Sequence, residues 1–554
     1  MKHKNLLIVL LSILIIPGIL FGCAPKSDPS STATSSTISV TPDPFGKYSP
    51  AIEVGWAKEI APEFQLRDGD TWEKNIWTDE YLNTLGIKIA YDWTVVGSDD
   101  DYAQKLNLTM ASGVLPDCFW ANPNQLSELV ETDQIEDLTT YYDQYGSEHT
   151  KTLMTDDGGI AIKSATFGGK LFGIPHMGGF QGFAKLIYVR KDWLDKLKLP
   201  EPKTFNDFLT IATAFTTKDP DGNGIKDTYG MALGIPDPGY GDLKGFFNSF
   251  HAYIGDWITD PTSGKLVWGS IQPEVKDGLA VLADMYKDGL IDKEFITKDG
   301  GKIAEDIVAG KIGLFYGSDW NPYYPIVDSM KADTSANWIP YPVPSVDSTP
   351  AKVHTGFPIF RYYVVRKGYE HPEALVKMMN LFIEKTDGSV EDYNKYGTDP
   401  DDSYLYTRLS PVFAQGPNYV KAYLDIKEAF ETGDTSKLRH YIGSRYQIMK
   451  EYNETKDINK WAVTFQQGPK DSSYGILNYY VENNLMIPPQ YYGAPTPSFI
   501  ANKGTLEQLQ NTTFAKIITG EAPISEFDKF VTSWKSLGGD AMTKEANDVV
   551  DSMK

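Results

Sequence analysis

The sequence predicts an α/β protein with more than one lobe, and three observations carry that expectation. Its 554 residues exceed what one hydrophobic core usually organises. Short β-branched or aliphatic runs at Ala51–Val54, Ile87–Tyr91, Lys311–Phe315 and Tyr362–Val365 read as strands. Helical patterns such as Tyr102–Ala111 and Glu274–Lys287 alternate with them, as in sheets that carry helices on their faces.

The N-terminus reads as a targeting segment. Lys2 and Lys4 precede an apolar run from Leu6 to Ile16, which Pro17 and Gly18 end. That run is short for a bilayer span. Leu20-Phe21-Gly22-Cys23 resembles a bacterial lipobox, although Phe21 is bulkier than the usual occupant of its position. We therefore expect a signal peptide over 1–22 and a lipid, thioether-linked diacylglycerol with palmitate-type chains, on Cys23. Residues 23–50 are rich in Ser, Thr and Pro and read as a flexible tether. Only Cys118 is then left unmodified, in an apolar run, as a core thiol.

Several helix boundaries are legible in the body. Thr204 can cap a helix with Asp207 three residues on, and Phe205, Phe208, Ile211, Ala212 and Phe215 follow at helical spacing. His371-Pro372 opens a helix carrying Leu375, Met378, Met379 and Phe382. Ser525 starts another with Phe527, Phe530, Val531 and Trp534. These apolar stripes read as core.

Between two such regions lies Asp219-Pro220-Asp221-Gly222-Asn223-Gly224-Ile225-Lys226-Asp227. Oxygen donors fall at alternate positions: Asp219, Asp221, Asn223, the Ile225 carbonyl and Asp227, with Gly224 at the sharp turn, as in a calcium loop. Gly230 stands where the bidentate Glu would be, so Thr228 or water would have to close the site. The alternative is an Asx/Gly turn with solvated acids. We expect a structural Ca²⁺ and not a sensor, since the loop occurs once.

A formal charge of -22 argues against a nucleic-acid partner, whose phosphates require basic patches. The hydrolase elbow, the zinc-protease helix, the phosphate loop and paired Cys-x-x-Cys are all missing from the sequence. Abundant carboxylates leave a glycoside hydrolase open.

The segments Gly169–Pro175, Ile187–Leu197, Pro202–Thr204 and the Asp219 loop together strongly resemble the extracellular solute-binding proteins, family 1, which serve ABC importers. Ala111–Asp117, Tyr286–Asp292, Ala309–Gly313, His371–Ala374, Gly493–Pro497 and Glu526–Phe530 extend the resemblance, in order, over nearly the whole body. It implies a two-lobed, periplasmic-binding-protein-like (type II) fold with a hinge and an interlobe ligand cleft. The first crossing is expected near Lys185 and the return near Thr355. The expected segments are 51–185 (lobe 1), 186–354 (lobe 2), 355–385 (return to lobe 1) and 386–554 (mainly lobe 2 and C-terminal helices). The resemblance also implies a calcium at the Asp219 loop, as in relatives that bind acidic oligosaccharides.

A sugar cleft needs aromatic platforms and planar hydrogen-bonding groups. Trp120, with Asn122 beside it, and Trp320, with Asp319, follow strands and match stacking segments of similar sugar-binding proteins. Each could instead pack in the core or at the hinge. Trp56 and Trp257 are further aromatic candidates, and His176 lies near the crossing. Arg361 sits on the return strand, either to pair a uronic-acid carboxylate or to form a surface salt bridge.

The reading is therefore a monomeric, lipid-anchored binding protein on the outer face of the membrane, not an enzyme. It would capture an oligosaccharide and pass it to an ABC permease. A secreted glycoside hydrolase and a surface sugar sensor are the alternatives.

Overall fold

The computed structural model describes residues 42–552, apart from residues 63, 178, 236–238, 358, 399–404, 415–417, 439 and 494. The expected signal peptide and Cys23 lie outside the described residues. Among the described residues, no helix is long and apolar enough to cross a membrane.

Two large hydrophobic cores divide the body. The first gathers Val54 to Ile174 and then Ile359 to Ala414. Its five-stranded sheet runs, in spatial order, Ile87–Val96, Ile52–Ile60, Cys118–Ala121, Ile359–Val365 and Ile174–Met177. The first three strands are mutually parallel, and Ile359–Val365 lies antiparallel to both its neighbours. Helices Asp99–Ser112, Pro123–Glu131 and Glu373–Asp387 pack on this sheet.

The second core gathers Ala184 to Val353 and then Val420 to Ala546. Its sheet has Leu186–Arg190 in the middle, antiparallel to Leu314–Gly317 and Trp338–Tyr341. All five central residues, Leu-Ile-Tyr-Val-Arg, are buried, as a strand covered on both faces requires. Arg190 is tolerated there because its guanidinium meets Asp192 at 2.7 Å and Asp333 at 2.8 Å and lies over Trp193 at 4.8 Å. The helix at Phe205–Thr217 begins with the expected reciprocal capping of Thr204 and Asp207. Cys118 is buried in the first sheet, as a core thiol should be.

Two expected boundaries need correction. The return to the first lobe does not end at residue 385. Tyr396, Leu409, Val412 and Ala414 are buried in the first core, and the Trp77 Nε1–H donates to the Tyr396 carbonyl at 3.0 Å. The tether also stops short of residue 50. Phe45 and Tyr48 pack on the first core, and Lys377 donates to the Gly46 carbonyl at 3.0 Å. Two aromatic rings in an otherwise polar stretch supply the apolar surface that holds this segment down.

Candidate functional site

A cavity of about 620 Å³ opens between the two cores. The first lobe supplies one wall from the edge of its sheet. Register places Arg361 beside His176 and Tyr363 beside Trp120 on adjacent strands, while Lys58 and Glu59 end the first strand. The sequence therefore names three side chains, Trp120, His176 and Arg361, that the fold brings together on the cleft.

Trp120 is only 4% exposed. Tyr102 stacks on it at 3.9 Å, the Arg361 guanidinium lies over it at 4.3 Å, and its Nε1–H donates to Glu59 at 2.8 Å. It acts here as a support for Arg361, and little of the ring remains as an open platform. Arg361 donates to Glu59 at 2.6 Å and to both Asp99 oxygens at 2.9 Å, and its buried Nε has no hydrogen-bond partner among the described residues.

The electrostatics of this wall are internally balanced. Burial would raise the Glu59 carboxyl, but Arg361 and Lys58 hold it below the usual value. Lys58 is pulled down to about 8 by burial, and its ammonium donates to the carbonyls of Arg408 and Ser410 at 3.0 and 3.1 Å. His176 is pushed down to about 3, by burial first and then by the Arg361 charge, and is therefore neutral.

The opposite wall comes from the second core and its C-terminal helices. Tyr419 and Tyr474 stack at 4.9 Å with their planes 9° apart. Gln466 and Gln467 end the helix Ile458–Gln467, and the Gln467 Nε2–H donates to Gln466 Oε1 at 2.9 Å. The Gln467 Oε1 atom is buried with no hydrogen-bond partner among the described residues. Tyr323 adds a 39% exposed ring, and Phe64 and Trp72 face the cavity from the first lobe.

The other expected residues sit elsewhere. Asn122 caps the helix Pro123–Glu131, its side-chain oxygen accepting from the Gln125 backbone N–H at 2.9 Å, so that oxygen is already used. Trp56 is fully buried in the middle of its strand, paired with Cys118, and packs edge-on to Tyr363. Trp257 is core to the second lobe, 5.0 Å from Trp268. Trp320 is 40% exposed, edge-on to Tyr240, and does not line the cavity. Asp319 is buried behind the wall and accepts from Gln466 Nε2 at 3.0 Å.

Lys58 and Glu59 could have been found by the rule that drew attention to Trp120, since both end a parallel strand. Tyr419, Tyr474 and the Gln466–Gln467 pair carry no comparable signal. They reach the cleft only because the chain re-enters the second core after Ala414.

The Asp219 loop is exposed on the second lobe. Asp219 has φ 49°, and Gly222 and Gly224 both have φ 79°, the left-handed turns that such a loop needs. Asp219 accepts from the Gly222 and Gly224 backbone N–H groups at 3.1 Å, and the Asn223 amide bridges Asp221 and Asp227 at 2.6 and 3.2 Å. The hydrogen bond between Asp219 and Asp221 lowers the first carboxyl; the second is raised by burial and by that bond. Thr228 is not a closing ligand: it is buried, and its hydroxyl donates to the Phe215 carbonyl at 2.6 Å. Among the described residues, no three His, Cys, Asp or Glu side chains converge as metal ligands. The donor set suits a hard cation, but the site is open on one side.

The model for bacterial extracellular solute-binding proteins matches residues 65–387, more than half of the chain. The chain is 26% identical to lipoprotein LipO of Bacillus subtilis over 85% of its own length and 87% of that protein's. It is 27% identical to the polygalacturonan/rhamnogalacturonan-binding protein YtcQ of the same organism, over 57% of each chain. In three dimensions it resembles the substrate-binding protein FusA of Streptococcus pneumoniae in complex with kestose, with a TM-score of 0.57 at 18% identity, over 91% of this chain and 100% of that one.

Asp319 makes the wall pH-sensitive. Burial pushes its carboxyl up to about 7 from the usual 3.8, against the Gln466 hydrogen bond and the Lys185 charge. The folded state therefore holds a proton that the unfolded state loses between those values, and stability falls as pH rises from about 4 to 7. Asp319→Asn lacks this titration. We expect it to be more stable than the parent at about pH 8, by up to ~4 kcal/mol, with the two converging near pH 4. Calorimetric melting across that range checks this, and parallel profiles would refute it.

Proposed function

The chain belongs to the bacterial extracellular solute-binding proteins, and on that premise we propose that it captures an oligosaccharide in the interlobe cleft and delivers it to an ABC permease. It does no covalent chemistry on that ligand. The observation that carries this reading is the composition of the cleft: rings from both lobes beside a balanced set of planar polar groups. Rings such as Tyr323, Trp72 and Phe64 suit the C–H faces of sugars, and Gln467 Oε1 and Arg361 Nε suit their hydroxyls. At about 620 Å³ the cavity falls in the range of small-ligand sites. The names of two similar proteins, one binding polygalacturonan and rhamnogalacturonan and one complexed with kestose, support a saccharide of several units.

Calorimetric titration with a panel of neutral and acidic linear oligosaccharides tests this. At least one should bind and be recovered uncut. Tyr323→Ala should weaken that ligand by about 5- to 10-fold, the worth of one ring contact. Shortened products on incubation would favour a hydrolase, and no binding across the panel would end the saccharide reading.

The Asp219 loop would hold a structural Ca²⁺ on this proposal, through Asp219, Asp221, Asn223, Asp227 and the Ile225 carbonyl. Asp221→Ala is the control. Adding about 10 mM Ca²⁺ to chelator-stripped protein should raise the melting temperature by a few degrees in the parent only. Equal curves with and without Ca²⁺ would refute it.

The working protein is a lipid-anchored monomer on the outer face of the membrane, held through Cys23. The lipobox-like Leu20–Cys23 and the match to lipoprotein LipO support this. Cys23→Ser should move the protein from the membrane fraction to the medium, because serine has no thiol to carry the two acyl chains that durable anchoring needs. Retention of the variant on membranes would point to another anchor.

A further inference from the structure

A second pocket, of about 220 Å³, opens beside the return crossing and shares no lining residue with the cleft. Its walls come from four places, one of them the C-terminal stretch that supplies Pro489, Gln490, Tyr491, Thr496 and Phe499. Trp257 and Trp268, from the hairpin strands of the second lobe, meet edge to face at 5.0 Å. Pro123 belongs to the first lobe, at the start of its helix. His354 and Phe357 belong to the crossing itself.

His354 is the imidazole of this largely aromatic pocket, which Asp256, Gln490 and Thr496 also line. Pairing of Val353–His354 with Met486–Ile487 fixes its backbone. Its side chain is 7% exposed, and neither ring nitrogen makes a well-formed hydrogen bond among the described residues, the Trp257 backbone offering it only a weak one. The Asp256 carboxylate lies 3.4 Å from Nδ1, but that carboxylate is engaged by Lys244 at 3.2 Å. Burial lowers the imidazole's pKa against that carboxylate, which leaves it neutral with one nitrogen able to accept. A buried polar group without a partner is costly and uncommon in native proteins.

Size narrows the ligand. An engineered apolar cavity of about 150 Å³ takes up benzene, and this pocket is larger. We propose that it is a second small-molecule site, separate from the cleft, for a flat, mostly apolar ring bearing one N–H or O–H donor, the chemistry of indoles and phenols. The ring packs among Trp257, Trp268 and Phe357, and its donor meets the accepting nitrogen of His354.

Indole is the probe, and the full chain labelled at its seven histidines with ¹³C is the sample. His354→Leu assigns the His354 resonance by its loss. Indole should move that resonance saturably below about 5 mM while leaving His176, on the cleft, unmoved. By calorimetry the parent should prefer indole to indene, which has the same shape without the N–H, by about 5-fold, the worth of one hydrogen bond. His354→Leu should erase that preference, and Pro123→Phe, which narrows the pocket from the other lobe, should weaken indole by a similar factor. An unmoved His354 resonance, movement of His176 instead, or equal affinity of the parent for indole and indene would each overturn the proposal, whether or not the His354→Leu variant folds.

Discussion

Strand Ile359–Val365 is the constraint on which the rest depends. It lies antiparallel between Cys118–Ala121 and Ile174–Met177, so the first sheet is one continuous surface only when this late segment is in place. Tyr362, Tyr363, Val364 and Val365 are all buried, and the strand delivers Arg361 to the cleft. The first lobe therefore closes only after the chain has made most of the second lobe and come back. Non-local pairing of this kind costs loop entropy before it returns packing energy.

The cleft depends on the same strand through its charges. A buried guanidinium is unfavourable unless nearby carboxylates and ring faces offset the desolvation, and Glu59, Asp99 and Trp120 do this together. Each of those three comes from, or just after, a different strand of the sheet. The result is a wall whose polar atoms are held rigid before any ligand arrives, which limits the ordering entropy that binding must overcome.

Much of this architecture was legible in the residues. The apolar runs at Ile87 and Tyr362, the Thr204 cap and the strand-end position of Trp120 all follow from local rules, and the fold uses each of them. What local rules could not reach was decided by topology. Trp56 and Trp120 look alike in sequence, yet one sits mid-strand in the core and the other at the strand's end. Asn122 looked like a free amide, but the proline after it opened a helix that used the amide as a cap. The Tyr419–Tyr474 stack belongs to a third passage between the lobes, and no periodicity in the sequence marks where that passage falls.

The docking of Phe45 and Tyr48 on the first lobe sets a length scale. A leash free as far as residue 50 could stretch about 95 Å from Cys23, at ~3.4 Å per residue. With Gly46 held by Lys377 and Pro44 by Asn380, the docked chain begins near residue 42. The contour then shrinks to about 65 Å. On the proposed Cys23 anchor that figure would be a radius of action: the body would meet only those membrane partners that drift within it, and capture and delivery would take place in one thin shell above the bilayer.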